Sequence, residues 1–167
     1  MEVYLLRHGV ANNDSPTGKD ADRQLTEEGR RKLREVLRLV ADSGVRPEVI
    51  VTSPYVRALQ TAEIAKEVLG SKSDLQLSQS LVPESDPEDV WHDIRTNYRG
   101  GNSVLLASHE PLMGRCFGYF LGHSDLLVDF KKGAIVRIDF DHFGNVPRRL
   151  LKWMLIPKLA GAEHPPA

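Results

Sequence analysis

The sequence contains one cysteine in 167 residues, Cys116, so no internal disulfide can form and no set of thiolates can hold a metal. This scarcity excludes a disulfide-stapled secreted scaffold and suits a reducing compartment. Long hydrophobic runs are missing as well. None approaches the ~18 residues of a membrane span, and Met1-Glu2-Val3-Tyr4-Leu5-Leu6-Arg7 meets charge too soon for a signal peptide. The expected location is the cytoplasm, with no membrane partner. Nor does charge of one sign dominate: 22 basic and 23 acidic residues give a formal charge of −1. The whole-protein field therefore does not attract nucleic acid, and any anion site has to be local. Aromatic residues make up only 7%, and none interleaves with the basic stretch Arg30, Arg31, Lys32 and Arg34. With Glu27, Glu28 and Glu35 among them and no ring on which a base could stack, these cations read as a solvated helix face.

What is present is the composition of an ordinary globular domain, 41% hydrophobic and 27% charged. No repeat, linker or low-complexity block divides it. Residues 1–158 are expected to form one domain, and 159–167, with two prolines, a flexible tail. Val3 to Leu6 is a short strand-forming run that ends in Arg7-His8-Gly9 and a polar loop. Thr26 offers an N-cap, Glu27 and Glu28 suit a helix start, and Leu33, Val36, Leu37 and Val40 recur at helical spacing up to Ser43-Gly44. Val49 to Thr52 is a second β-branched run. Ser53-Pro54 then reads as a cap followed by proline at the first helical position, with the helix stopping at Gly70.

From Ser71 to Glu84 the pattern is irregular. Asp86-Pro87 caps a third helix toward Tyr98, and Ser103 to Ala107 is a third strand. Ser108-His109-Glu110-Pro111 leads into a helix ending near Leu121. Alternation from Ala134 to Phe140, a turn at Gly144-Asn145 and a run over Leu150 to Leu155 predict a hairpin. The implied fold is α/β, with three layers: a mostly parallel central sheet, helices on both faces and a late antiparallel hairpin.

Three segments with chemistry-bearing side chains lie just past predicted strand ends: Arg7-His8-Gly9, Ser53 to Arg57, and Ser108-His109. In a parallel sheet those ends open on one edge, where ligands bind. Two arginines and two histidines would form a cationic cup in a nearly neutral chain. Guanidinium forks suit phosphate oxygens, and a helix N-terminus adds backbone donors. Taken singly, each residue has an ordinary reading as a salt-bridged or hydrogen-bonded group. His92, His123, His142 and His164 read as surface or loop residues, and Cys116 as a small buried apolar one.

The motifs Arg7-His8-Gly9, Ser53-Pro54-Tyr55-Val56-Arg57-Ala58-Leu59-Gln60-Thr61-Ala62 and Ser108-His109, with Leu25-Thr26-Glu27-Glu28-Gly29, resemble the histidine phosphatase superfamily of phosphoglycerate mutase-like fold. The short chain, Ser108-His109-Glu110-Pro111-Leu112-Met113-Gly114 and the ending around Leu151 to Pro157 are similar to SixA-type phosphohistidine phosphatases. The resemblance spans about residues 1 to 158. It implies His8 as the nucleophile that becomes a phosphohistidine, and Arg7, Arg57 and His109 as ligands of the phosphoryl oxygens, with no metal and no cofactor. Asp20, Asp22, Asp14 and Glu84 are the options for the proton donor. Asp20, three residues before Arg23, matches the SixA-type pattern, and Asp86 is assigned to a helix cap. The partner implied is a phosphohistidine protein. A small phosphate ester is the alternative substrate, and a phosphate-recognition module without turnover is the alternative of another class.

Overall fold

The computed structural model describes residues 1–141 and 149–161. Its centre is a six-stranded sheet of order β3-β2-β4-β1-β5-β6. The strands are β1 (Glu2–Arg7), β2 (Val49–Thr52), β3 (Gln76–Leu77), β4 (Ser103–Ser108), β5 (Ile135–Phe140) and β6 (Arg149–Leu155). The first four run parallel, and β5 pairs antiparallel with both β1 and β6. The expected architecture is thus present.

Alternation across the pleat splits the core into two layers. Val3, Leu5, Val51, Val104, Leu106, Val136 and Ile138 face one side, where α3 (Pro87–Asp93) and α4 (Leu112–Leu121) pack. Tyr4, Leu6, Ile50, Leu105, Ala107 and Ile135 face the other, covered by α1 (Glu27–Asp42) and α2 (Val56–Leu69). Strands wedged between two helix layers need apolar residues at every position, which is why β1 and β4 read as continuous hydrophobic runs.

α1 starts as expected. The Thr26 side chain accepts from the Gly29 amide at 2.9 Å, and Leu33, Val36, Leu37 and Val40 form the buried stripe. Gly29 is required by proximity, since a Cβ there would stand 2.2 Å from the Val10 carbonyl oxygen. α2 stops at Gly70, which adopts the left-handed conformation open to glycine (φ 66°).

Several expectations are corrected. α2 begins at Val56 with Tyr55 in the cap position, so Ser53 is not its cap and Pro54 is not its first residue. The Ser53 hydroxyl oxygen accepts the Tyr55 amide at 3.3 Å and meets His109 Nε2, so it closes the turn ahead of α2 rather than capping the helix. The segment Ser71 to Glu84 is not wholly irregular. Gln76–Leu77 adds an edge strand, and a 3-10 turn at Gln79–Leu81 buries Leu81, whose carbonyl accepts from the Ser108 hydroxyl at 2.6 Å. Asp86 holds the cap position of α3 but makes no side-chain cap; its carboxylate pairs with Arg115. The third helix gives way to a π-helical turn over Ile94–Tyr98. Leu159 and Ala160, expected in a loose tail, close a short helix α5 (Pro157–Ala160) packed against α1. The Gly144-Asn145 turn, His142, His164 and the rest of the tail lie outside the described residues. His92 and His123 are exposed, and Cys116 is buried. Among the described residues no helix is long and apolar enough to cross a membrane.

Candidate active site

Neighbouring strands β1 and β4 send their chains to opposite faces of the sheet, β1 toward α1 and β4 into α4. A crevice opens at the carboxyl ends of strands arranged in this way. The ends are level. Arg7 pairs with Ser108 and Thr52 with Ala107, and the ladder continues through the His8 amide to the Ser108 carbonyl (2.9 Å) and the Ser53 amide to the Ala107 carbonyl (3.0 Å). On the far side the Gly133 amide donates to the carbonyls of Arg7 (3.1 Å) and His8 (3.0 Å). His8, Ser53, Arg57 and His109 are all buried.

His8 is fixed at both ring nitrogens. Nδ1 lies 2.7 Å from the Gly9 carbonyl, which can only accept, so Nδ1 carries the proton. Nε2 accepts from Arg57 Nε at 3.3 Å and keeps its lone pair. Burial, with Arg57, Arg7 and Lys132 adding to it, lowers the His8 pKa to about 4. The ring is neutral at physiological pH.

Arg57 reaches the cup from the first turn of α2. Besides His8, its guanidinium donates to the Asp20 carbonyl (2.7 Å) and to the Asp20 carboxylate (2.9 Å). Thr61 ties the helix to the loop behind His8: its hydroxyl donates to the Arg57 carbonyl at 2.7 Å and accepts from the Gly9 amide at 3.2 Å. Arg7 donates to the Phe130 carbonyl at 2.6 Å, while its buried Nε has no protein partner. Burial lowers the Arg7 pKa from its ordinary value, with Glu110 and Asp129 opposing. His109 packs its ring 5.1 Å from those of His8 and Tyr55, and its Nε2 is 2.8 Å from Ser53 Oγ. Its Nδ1 is buried without a protein partner. Burial, then the field of His8, Arg57 and Arg7, lowers its pKa to about 2.

The structure therefore brings Arg7, His8, Arg57, His109 and Asp20 together. Asp20 sits on a 3-10 turn over Asp20–Asp22 and bridges Arg57 and Arg23, the latter at 2.8 Å. These two guanidinium groups, Arg23 foremost, hold its carboxyl below the usual range. The other acid options do not bond to the cup. Asp22 takes the Thr17 hydroxyl, Asp14 lines an open hollow of about 250 Å³ beside Lys19 and Arg23, and Glu84 is exposed. Among the described residues no three His, Cys, Asp or Glu side chains gather as a metal site.

Ser53 and Thr61 lie inside the motif singled out in the sequence, but sequence reasoning gave neither side chain a part in this site, and it did not consider Lys132. Ser53 carried a cap signal that hid it, and Thr61 sits at the one-turn spacing from Arg57. Lys132, exposed just before β5, bears on His8 through its charge alone.

The site is chemically a buried arginine, Arg57, a half-buried one, Arg7, and two neutral imidazoles, set where charge and an unprotonated ring nitrogen can meet an anion together. The model of the histidine phosphatase superfamily (branch 1) matches residues 3–81. The chain is 30% identical over 159 residues to the phosphohistidine phosphatase SixA of Escherichia coli K12, with 94% of each covered. It superposes on the structure of the protein histidine phosphatase SixA complexed with tungstate at TM-score 0.83 and 30% identity, covering 95% of this chain and 99% of that one. A mycobacterial glucosyl-3-phosphoglycerate phosphatase shares the fold at TM-score 0.70 and 15% identity, with 91% and 97% covered. These likenesses and the geometry they accompany make this chain a member of the histidine phosphatase superfamily, and a phosphatase of the histidine type.

Proposed function

We propose that the protein hydrolyses phosphohistidine on a protein substrate, with His8 as nucleophile, using residues 1–158 as one catalytic domain. The observation that carries the reading is the His8 tautomer: Gly9 holds the proton on Nδ1, so Nε2 is unprotonated, and the Arg57 Nε–H that it accepts turns to a phosphoryl oxygen before the lone pair attacks phosphorus. Attack by Nε2 forms a P–N bond to His8 as the P–N bond of the substrate breaks. The positive charge that develops on the His8 ring is met by the Gly9 carbonyl at Nδ1. Arg7, Arg57 and His109 bind the equatorial oxygens and stabilise their charge. Water then attacks phospho-His8, releasing inorganic phosphate and restoring neutral His8.

Asp20 is assigned as the leaving-group acid, and its pairing with Arg57 and Arg23 favours a substrate with a good leaving group. In the free protein it is ionised and cannot donate. Even where phosphoryl oxygens take over Arg57, Arg23 stays bonded to Asp20 and opposes its protonation, so it donates only a proton first drawn from solvent. An imidazole leaving group, itself readily protonated, asks less of this acid than an alkoxide does. The 30% identity to SixA across nearly the whole chain supports the same substrate class.

The test compares a protein phosphorylated on histidine with p-nitrophenyl phosphate and a panel of metabolite phosphates, in EDTA, with His8→Ala as control. Wild type is expected to dephosphorylate the protein faster than either alternative, and His8→Ala to lose turnover by about 10³-fold or more. A preference for a metabolite phosphate would overturn the substrate assignment, and activity retained by His8→Ala the nucleophile. Hydrolysis of nothing would favour a recognition module.

A further inference from the structure

We propose that Ser53 is a positioning residue that holds His109 in its Nδ1–H tautomer, presenting a neutral donor to the phosphoryl group. The inference rests on the cup reading above for its catalytic consequence, but the tautomer itself follows from hydrogen-bond accounting. Ser53 is fully buried at the end of β2, and its Oγ stands 2.8 Å from His109 Nε2. The same oxygen accepts the Tyr55 amide at 3.3 Å. A serine hydroxyl has one proton to place, and His109 Nε2 is the acceptor it meets.

His109 has one proton to place as well, because burial among cations keeps the ring neutral. If Nε2 carried it, two N–H groups would aim at Ser53 Oγ, the Ser53 proton would have no acceptor, and a lone pair would lie buried at Nδ1. If Nδ1 carries it, Ser53 donates to Nε2 and one buried N–H alone lacks a protein partner. A phosphoryl oxygen, which only accepts, completes that N–H and would be repelled by a lone pair. The ring cannot readily rotate away, since Tyr55 and His8 both pack against it at 5.1 Å. Serine at position 53 thus prepares His109 as a donor without charging it, leaving the positive charge of the cup to Arg7 and Arg57.

Long-range ¹H–¹⁵N correlation of uniformly ¹⁵N-labelled protein reads the tautomer directly, with His109 assigned by its absence in His109→Gln. The expected pattern for wild type is a protonated Nδ1 and a bare Nε2, opposite to the form that free histidine prefers in water. In Ser53→Ala the preference should relax toward Nε2–H and kcat on the phosphohistidine protein should fall at least about tenfold with little change in KM. Ser53→Thr, which keeps the hydroxyl, should retain the wild-type pattern and rescue kcat to within about threefold. A protonated Nε2 in the wild type would overturn the proposal. So would Ser53→Thr behaving like Ser53→Ala, or a folded Ser53→Ala with unchanged kcat. Wild type that shows the Nδ1–H pattern yet hydrolyses no phosphate compound would refute the cup reading and leave the tautomer assignment standing.

Discussion

The outer face of α1 and the cup at the strand ends use the same side chains to opposite ends. On α1, Arg31 bonds both oxygens of Glu28 at 2.8 Å and also reaches Glu35, Lys32 meets Glu28 at 3.1 Å, and Arg34 meets Glu67 at 2.9 Å. These groups are in or near water, and each cation has an acid within one turn or on the neighbouring helix. In the cup, Arg57 is 5% exposed and one acid, itself shared with Arg23, answers it. Arg7 has a carbonyl and an Nε without a protein partner. A solvated, paired charge has little left to give a ligand, whereas a desolvated and under-paired one gains strongly from an anion.

The largest break in that contrast comes from Arg57→Lys. Charge is preserved, but the fork that spans His8 and Asp20 is lost, so one point charge replaces donors set at fixed angles. Steady-state kinetics should show kcat lower by about 100-fold, more than any change in KM. Near-normal rates would remove Arg57 from the phosphate site.

A smaller and more graded effect is expected from pH. Burial and the neighbouring cations lower the His8 pKa from 6.5 to about 4, so the native protein binds fewer protons than the unfolded chain between those values. This histidine's contribution to stability is therefore present above about pH 6.5 and is lost as pH falls toward 4. The acid limb of kcat/KM, with the substrate's own ionisation divided out, should lie near 4. A limb near 6.5 would mean that the cup does not shield the nucleophile from protonation.

Much of this arrangement was legible in the sequence, because it rests on patterns that local physics enforces. β1, β2 and β4 are buried on both faces and so read as unbroken apolar runs, each followed by its polar motif. Thr26 and Gly70 mark helix ends through cap chemistry that depends on near neighbours. What escaped notice depends on distant partners. Gln76–Leu77 is short and exposed, with no apolar signature, and exists as a strand because β2 offers it an edge. Ser53 next to Pro54 carries a genuine cap signal, overridden by His109 across the β2–β4 boundary. The resemblance to the SixA-type pattern favoured Asp20 among four carboxylates, but its bond to Arg57 became visible only when α2 was placed against the loop after β1.

The smallest effect expected is the one that sharpens the comparison from its other side. Arg31→Ala removes a cation with more hydrogen bonds to carboxylates than Arg57 has, yet both it and its partners stand half in water. Pairs of this kind exchange direct contacts for hydration at almost no net gain, and salt screens what remains. Thermal melting should shift by no more than about 2 °C, with the difference shrinking at 1 M salt. Turnover of the phosphohistidine protein should stay within about twofold of wild type. A tenfold loss of kcat/KM with unchanged melting would place the substrate protein on α1, and would make the cations of that face part of recognition. If the melting shift alone is small and turnover holds, the number of bonds an arginine makes is a poor guide to its role, and what matters is how much of its demand the protein leaves unmet.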